Sequence, residues 1–276
     1  MELFQKYIDE LRSMPVTHIS DSKTLAKALA ARGKLLKNFV LEKLEIQEEK
    51  AKTGRLYELY QTFRDFVFAK LTLDNFADTF AQMLVYGSFL AKLNADTKKI
   101  QLQNAKSYIP VSNRLIIDLF SFLKELDSDE YSQIKWIVEE ILTILNNLKI
   151  KELDKKFSFD MHQKDPYIYF YEDFLAAYDY DLRKSKGVYY TPPPVVSFII
   201  KGINDILTNV FHIKDGIAAR KQVTILDFAT GTGTFLLEIV RQIFDSLPEK
   251  SGKRKEIIRE HILKNLYGFE YMIAPY

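Results

Sequence analysis

The sequence predicts a mainly α N-terminal helical domain followed by the start of an α/β domain. Three observations carry this. Through the first 155 residues, apolar side chains recur at three-to-four spacing, the pattern of packed amphipathic helices. Val223-Thr224-Ile225-Leu226, then Asp227, a glycine turn and Phe235-Leu236-Leu237-Glu238-Ile239-Val240 give the order strand, acid, turn, helix. Leu266-Tyr267-Gly268-Phe269-Glu270 has the look of a second short strand that ends in a carboxylate.

The helices follow in chain order. Residues 3–11 form a short amphipathic segment. Ser20-Asp21-Ser22 offers caps for a long helix through Leu25, Leu29, Leu35, Leu36 and Val40. That helix should end in the charged run Glu48-Glu49-Lys50, with Gly54 as the break. Residues 56–71 carry Tyr57, Tyr60, Phe63, Phe66 and Phe68, and residues 75–93 place Phe76, Phe80, Met83, Gly87 and Leu90 along one stripe. Pro110 and Ser112 introduce a helix through Leu115, Leu119 and Phe122, and residues 131–148 carry Trp136, Ile137, Ile141 and Leu145. All these aromatics are expected in the core. A charged stretch at 151–164 marks a boundary, which divides the chain into a helical domain (1–155), an aromatic-rich bridging helix (156–186) and the α/β part (187–276). Thr191 is placed as an N-cap, with Pro192 at the first helical position before Val195-Val196-Ser197-Phe198-Ile199-Ile200.

Asp227-Phe228-Ala229-Thr230-Gly231-Thr232-Gly233 is the candidate binding loop. Glycines let a backbone approach a ligand closely, and the helix that follows presents free N–H groups and a positive dipole end. A dinucleotide fingerprint would need a third small residue where Leu236 stands, and a phosphate P-loop would need a Lys soon after Gly233. An acid just before the glycines suits a ligand with a cationic amine. S-adenosylmethionine, with its α-amino group and sulfonium, fits that charge logic. Glu270, at the end of the second strand, stands where a ribose diol is held in doubly wound sheets. The gap from Asp227 to Glu270 is longer than usual, and a helix over residues 254–264 would fill it.

Composition sets bounds. The balance of 47% hydrophobic and 28% charged residues is that of a soluble globular protein, and no apolar run is long enough for a membrane span. The N-terminus lacks a secretory signal. The absence of Cys excludes disulfides and thiolate metal sites and suits a cytoplasmic protein. The four histidines are scattered, so no metal site is expected. Glu152, Asp154 and Lys156 have nuclease-like spacing but lie in a charged boundary without a strand pattern, and Lys250-Ser251-Gly252-Lys253-Arg254-Lys255 reads first as a solvated loop. A net charge of +2 says little about nucleic acid either way.

Tyr190-Thr191-Pro192, the loop from Asp227 to Gly233, and Gly268-Phe269-Glu270 together resemble the cofactor motifs of adenine-N6 DNA methyltransferases of restriction–modification systems, in the γ order. The stretch from Asp165 through Tyr178 to Val188 is similar to large single-chain members of that family, and residues 76–87 resemble their helical connector. The resemblance covers the chain from about Leu25 onward and departs at Phe228, where many relatives have Pro. It implies a Rossmann-like domain that binds S-adenosylmethionine through Tyr190, Thr191, Pro192, Asp227, Phe228, Ala229, Thr230, Gly231, Thr232, Gly233 and Glu270, with double-stranded DNA as the partner of the whole enzyme. The family's catalytic Asn/Asp-Pro-Pro-aromatic motif is missing, since Thr191-Pro192-Pro193-Pro194 has the wrong lead residue and is followed by Val195. The chain is therefore expected to be a fragment, inactive alone, with an unfinished sheet able to self-associate. A methyltransferase of RNA, protein or small molecules, and a non-catalytic helical DNA- or partner-binding module, are the rival readings.

Overall fold

The computed structural model describes residues 19, 21–50, 52–111, 114–148, 166–179, 191–247 and 252–270. They belong to two compact units, Met1–Lys186 and Gly187–Tyr276.

The first unit is helical. Its elements are α1 (Ser22–Glu49), α2 (Arg55–Phe66), α3 (Leu73–Ala95), α4 (Arg114–Phe122), α5 (Ser132–Asn146) and α6 (Pro166–Tyr178), with short 3-10 turns between α3 and α5. Asp21 caps α1 by accepting from the Thr24 amide at 2.9 Å, and Gly54 opens α2 at φ +138°. α1 is the central helix, packed by α3, α5 and α6. Leu25, Leu29, Leu36 and Leu44 of α1 are fully buried with Phe76, Phe80 and Phe89 of α3 and Phe170 and Phe174 of α6. The rings meet in favoured geometries: Phe63 and Phe76 edge to face at 5.4 Å, Phe89 stacked on Phe170 at 3.9 Å. Gly87 lets α4 close on α3, because a Cβ there would lie 2.7 Å from Phe120 and 2.8 Å from Ile116.

A buried polar chain fixes α6 on α3. The Tyr178 hydroxyl donates to Asp78 Oδ1 at 2.8 Å, Gln82 Nε2 donates to Asp78 Oδ2 at 2.8 Å, and the Tyr171 hydroxyl donates to Gln82 Oε1 at 3.1 Å. Burial pushes the Asp78 carboxyl up from its ordinary value, against the opposing pull of the Tyr178 bond and Lys37.

Three expectations about this unit change. α2 stops at Phe66, where the Phe68 amide turns back to the Phe63 carbonyl at 3.0 Å. Phe66, Phe68 and Trp136 are exposed, by 86%, 38% and 41%. The buried stripe of α5 runs through Ile134, Ile137, Val138, Ile141 and Leu145, and Trp136 stands beside it. The segment 3–11 and the boundary at 151–164 lie outside the described residues.

The second unit holds α7 (Pro193–Asn209), β1 (Ile225–Asp227), α8 (Thr234–Asp245), α9 (Lys253–Ile257) and β2 (Leu266–Gly268). α9 continues through a π turn, Ile258–Ile262, and a last turn, Leu263–Asn265, directly into β2. The strands pair in parallel with Ile225 opposite Leu266, Leu226 opposite Tyr267 and Asp227 opposite Gly268. A parallel pair needs a long crossover, and α8 with α9 supplies it. Val196 and Ile200 of α7, Ile217, and Ile239 and Ile243 of α8 form a small core, with Ile225 and Leu266 packed against it. Leu226 and Tyr267 point to the other face of the sheet and are half-exposed.

Thr191 is not the N-cap expected of it. α7 is capped by Pro192, with Pro193 and Pro194 in its first turn and no side-chain cap bond. Prolines lack the N–H that a capping hydroxyl would accept, so the cap has little to bind. The helix over 254–264 is present but wound into a π turn. At that turn the buried His261 ring bonds the Ile217 carbonyl through Nε2 at 2.7 Å and Asn265 Nδ2 through Nδ1 at 2.9 Å. Asn265 also donates to the Arg220 carbonyl at 2.8 Å, so its amide nitrogen is the donor and His261 Nδ1 the acceptor.

Candidate ligand site at the glycine loop

β1 delivers Asp227 to the end of the sheet, and the chain then turns through 228–233 into α8. Gly231 at φ +55° and Gly233 at φ +86°, ψ 22° both take the left-handed region, which is why glycine stands at each. No side chain caps α8, so its first-turn N–H groups are left to the loop and to whatever binds there. A Cβ built on Gly233 would meet nothing within 4 Å, so the space beside this residue is open.

The loop is stitched to β2. The Phe269 amide donates to the Asp227 carbonyl at 2.8 Å, and the Thr230 amide donates to the Phe269 carbonyl at 2.9 Å, so the ladder runs past the strand ends. The Thr230 hydroxyl donates to the Asp227 carbonyl at 2.9 Å. The Gly231 amide donates to Glu270 Oε2 at 2.7 Å. Gly268 permits this approach, since a Cβ there would lie 2.4 Å from Thr230 Oγ1.

Polar atoms are left over. Asp227 Oδ1 accepts from the Ala229 amide at 3.1 Å, whereas Asp227 Oδ2, Thr232 Oγ1 and Thr234 Oγ1 are buried without a partner among the described residues. Such groups are rare in folded proteins and cost free energy unless something binds them.

The structure thus gathers Asp227, Thr230, Gly231, Thr232, Gly233 and Glu270 at one edge of the sheet. Ala229 and Phe228 lie on the exposed side of the loop, with Phe228 exposed by 80%. Thr191 and Pro192 open α7 and make no hydrogen bond to the loop among the described residues, and Tyr190 lies outside those residues. Thr234 was not among the expected site residues. Its only signal in the sequence is a hydroxyl directly after the last loop glycine, a common helix start. Gly268 appeared in the sequence only as part of a motif; its steric role follows from the register of β1 and β2. Among the described residues no cluster of His, Asp and Glu could hold a metal ion, and no helix is long and apolar enough to cross a membrane.

No curated protein matches the chain. Solved structures that share its fold include two DNA complexes. A DrdV–DNA complex is 19% identical with a TM-score of 0.54, over 92% of this chain and 23% of that one. The ATP-dependent Type ISP restriction-modification enzyme LlaBIII, bound to DNA, is 18% identical with a TM-score of 0.59, over 92% of this chain and 16% of that one. The chain therefore spans less than a quarter of either protein. Residues 162–276, which include the glycine loop and both strands, match the N-6 DNA methylase family.

Proposed function

We propose that this chain is the helical connector and cofactor-binding start of a restriction–modification DNA methyltransferase that moves a methyl group from S-adenosylmethionine to adenine N6 in double-stranded DNA. The observation that carries the cofactor reading is the buried, unpartnered Asp227 Oδ2 beside an open glycine loop. A cationic amine is the natural partner for such an oxygen. The residues present fit the donor, which when bound supplies an electrophilic methyl group.

Asp227 accepts from the donor's α-amino group. Gly231 and Gly233 leave room for its approach. Glu270 accepts from the ribose hydroxyls, and Tyr190 and Thr191 flank the methionine end. A target adenine would be flipped from the duplex beside this site, and catalysis is then a matter of position and charge stabilisation. The residues that would grip the adenine amine, Asn/Asp-Pro-Pro-aromatic, do not occur in this sequence. The chain alone is therefore a donor-binding protein and not a methylating one. The wider doubly wound sheet of a Rossmann-like domain belongs to the same reading. So does self-association through the edges of the two-stranded sheet.

Photo-cross-linking with radiolabelled S-adenosylmethionine tests the reading. Label should map to 227–233 and 266–270, with no methyl transfer to duplex DNA. Label elsewhere would remove the cofactor assignment, and methylated DNA would remove the claim that the chain is inactive alone.

A further inference from the structure

The loop's glycine half is held differently from its first half. Asp227 and Thr230 are tied down by backbone bonds to Phe269 and by the Thr230 hydroxyl. From Gly231 onward the hydroxyls of Thr232 and Thr234 anchor nothing. Gly231 and Gly233 both sit at positive φ, a region that glycine leaves as easily as it enters. Among the described residues, this half is reached from just past β2 by a bond from the Gly231 amide to Glu270 Oε2, at 2.7 Å and across 39 residues of sequence. It is short and charge-assisted, the stronger class of hydrogen bond.

We propose that Glu270 is a positioning residue for the glycine loop, holding the Gly231 amide and so shaping the site before any ligand arrives. The role is separate from contact with ribose, and it makes the two ends of the site interdependent. Loss of Glu270 then weakens ligands that have no ribose hydroxyls to offer it. The ligand half of this inference rests on the cofactor reading above; the loop half does not.

The test uses the full chain, Glu270→Ala and Glu270→Gln, with two measurements. Glutamine keeps an acceptor for the Gly231 amide and alanine does not. First, Gly231 amide exchange in the ligand-free protein should speed about tenfold or more in E270A and stay within about threefold of wild type in E270Q. Second, affinity for S-adenosylhomocysteine and for its 2′,3′-dideoxy analogue is measured by calorimetry. E270A should weaken the dideoxy analogue by about threefold or more, with E270Q restoring most of it. Unchanged Gly231 exchange in E270A overturns the proposal, as does an E270A loss confined to the ligand with a diol. If wild type binds neither ligand while E270A still accelerates exchange, the cofactor reading fails and the positioning role stands. Circular dichroism of both variants shows whether unit 2 remains folded, and E270Q decides the question if E270A does not.

Discussion

Gly233→Ala separates the cost of folding the glycine loop from the cost of filling it. Gly233 has φ +86° and ψ 22°, and an added Cβ would meet nothing within 4 Å. No clash term arises, so the folding penalty is that of a left-handed backbone in an L-residue, about 1–2 kcal/mol. The same methyl group projects into the space a ligand needs, and crowding there costs a further 1–3 kcal/mol or so, about fivefold to 150-fold in affinity. Gly202→Ala is the control. Gly202 lies exposed inside α7, at ordinary helical φ, again with nothing within 4 Å of its Cβ. There alanine should stabilise unit 2 by about 0.5–1 kcal/mol. One chemical change thus has opposite signs at two open positions. The chain's single tryptophan, Trp136, lies in unit 1, so fluorescence does not follow these variants. Hydrogen exchange of α8 amides through a urea series does. A G233A protein as stable as wild type, a shared sign for both variants, or undiminished ligand affinity in G233A would refute the reasoning.

Three further outcomes follow from the packing. Asp78 is raised by burial, so its contribution to the stability of unit 1 is present at low pH and is lost as pH rises through its folded value. The stability of wild type minus that of Asp78→Asn, followed by Trp136 fluorescence, should fall with rising pH through the carboxylate range; a flat or rising difference contradicts this. Gly87→Ala must move Phe120 and Ile116 and should cost about 1–3 kcal/mol, seen as a lower urea midpoint for unit 1; an unchanged midpoint shows that α4 yields freely. Analytical ultracentrifugation should show concentration-dependent association; a monomer at all concentrations removes the sheet-edge contact.

What could be read in advance was what depends on neighbours in sequence. Apolar residues at three-to-four spacing place α1, α3 and α5, and Asp21 and Gly54 mark the starts of α1 and α2. The strand, acid and glycine order around Asp227 is equally local. Burial of a given aromatic is not. Phe66 and Trp136 have the composition of core residues and sit off the packed stripe, a matter of which helix lies opposite. The triple proline hid the true cap of α7, because the hydroxyl of Thr191 competes with residues that need no cap. The bond between Gly231 and Glu270, 39 residues apart, depends on the register that sets Asp227 opposite Gly268, and no local pattern encodes a register between two strands so distant in sequence. The orphaned hydroxyl of Thr234 became visible only with its surroundings.

Asp227 Oδ2 is proposed to receive a ligand's cationic amine. Calorimetric titration of wild type and Asp227→Ala with S-adenosylhomocysteine, and with its analogue lacking the α-amino group, tests it most directly. D227A should weaken the amine-bearing ligand by about 1–3 kcal/mol and leave the deaminated one nearly unchanged. An equal loss for both ligands, or no binding of either to wild type, would contradict it.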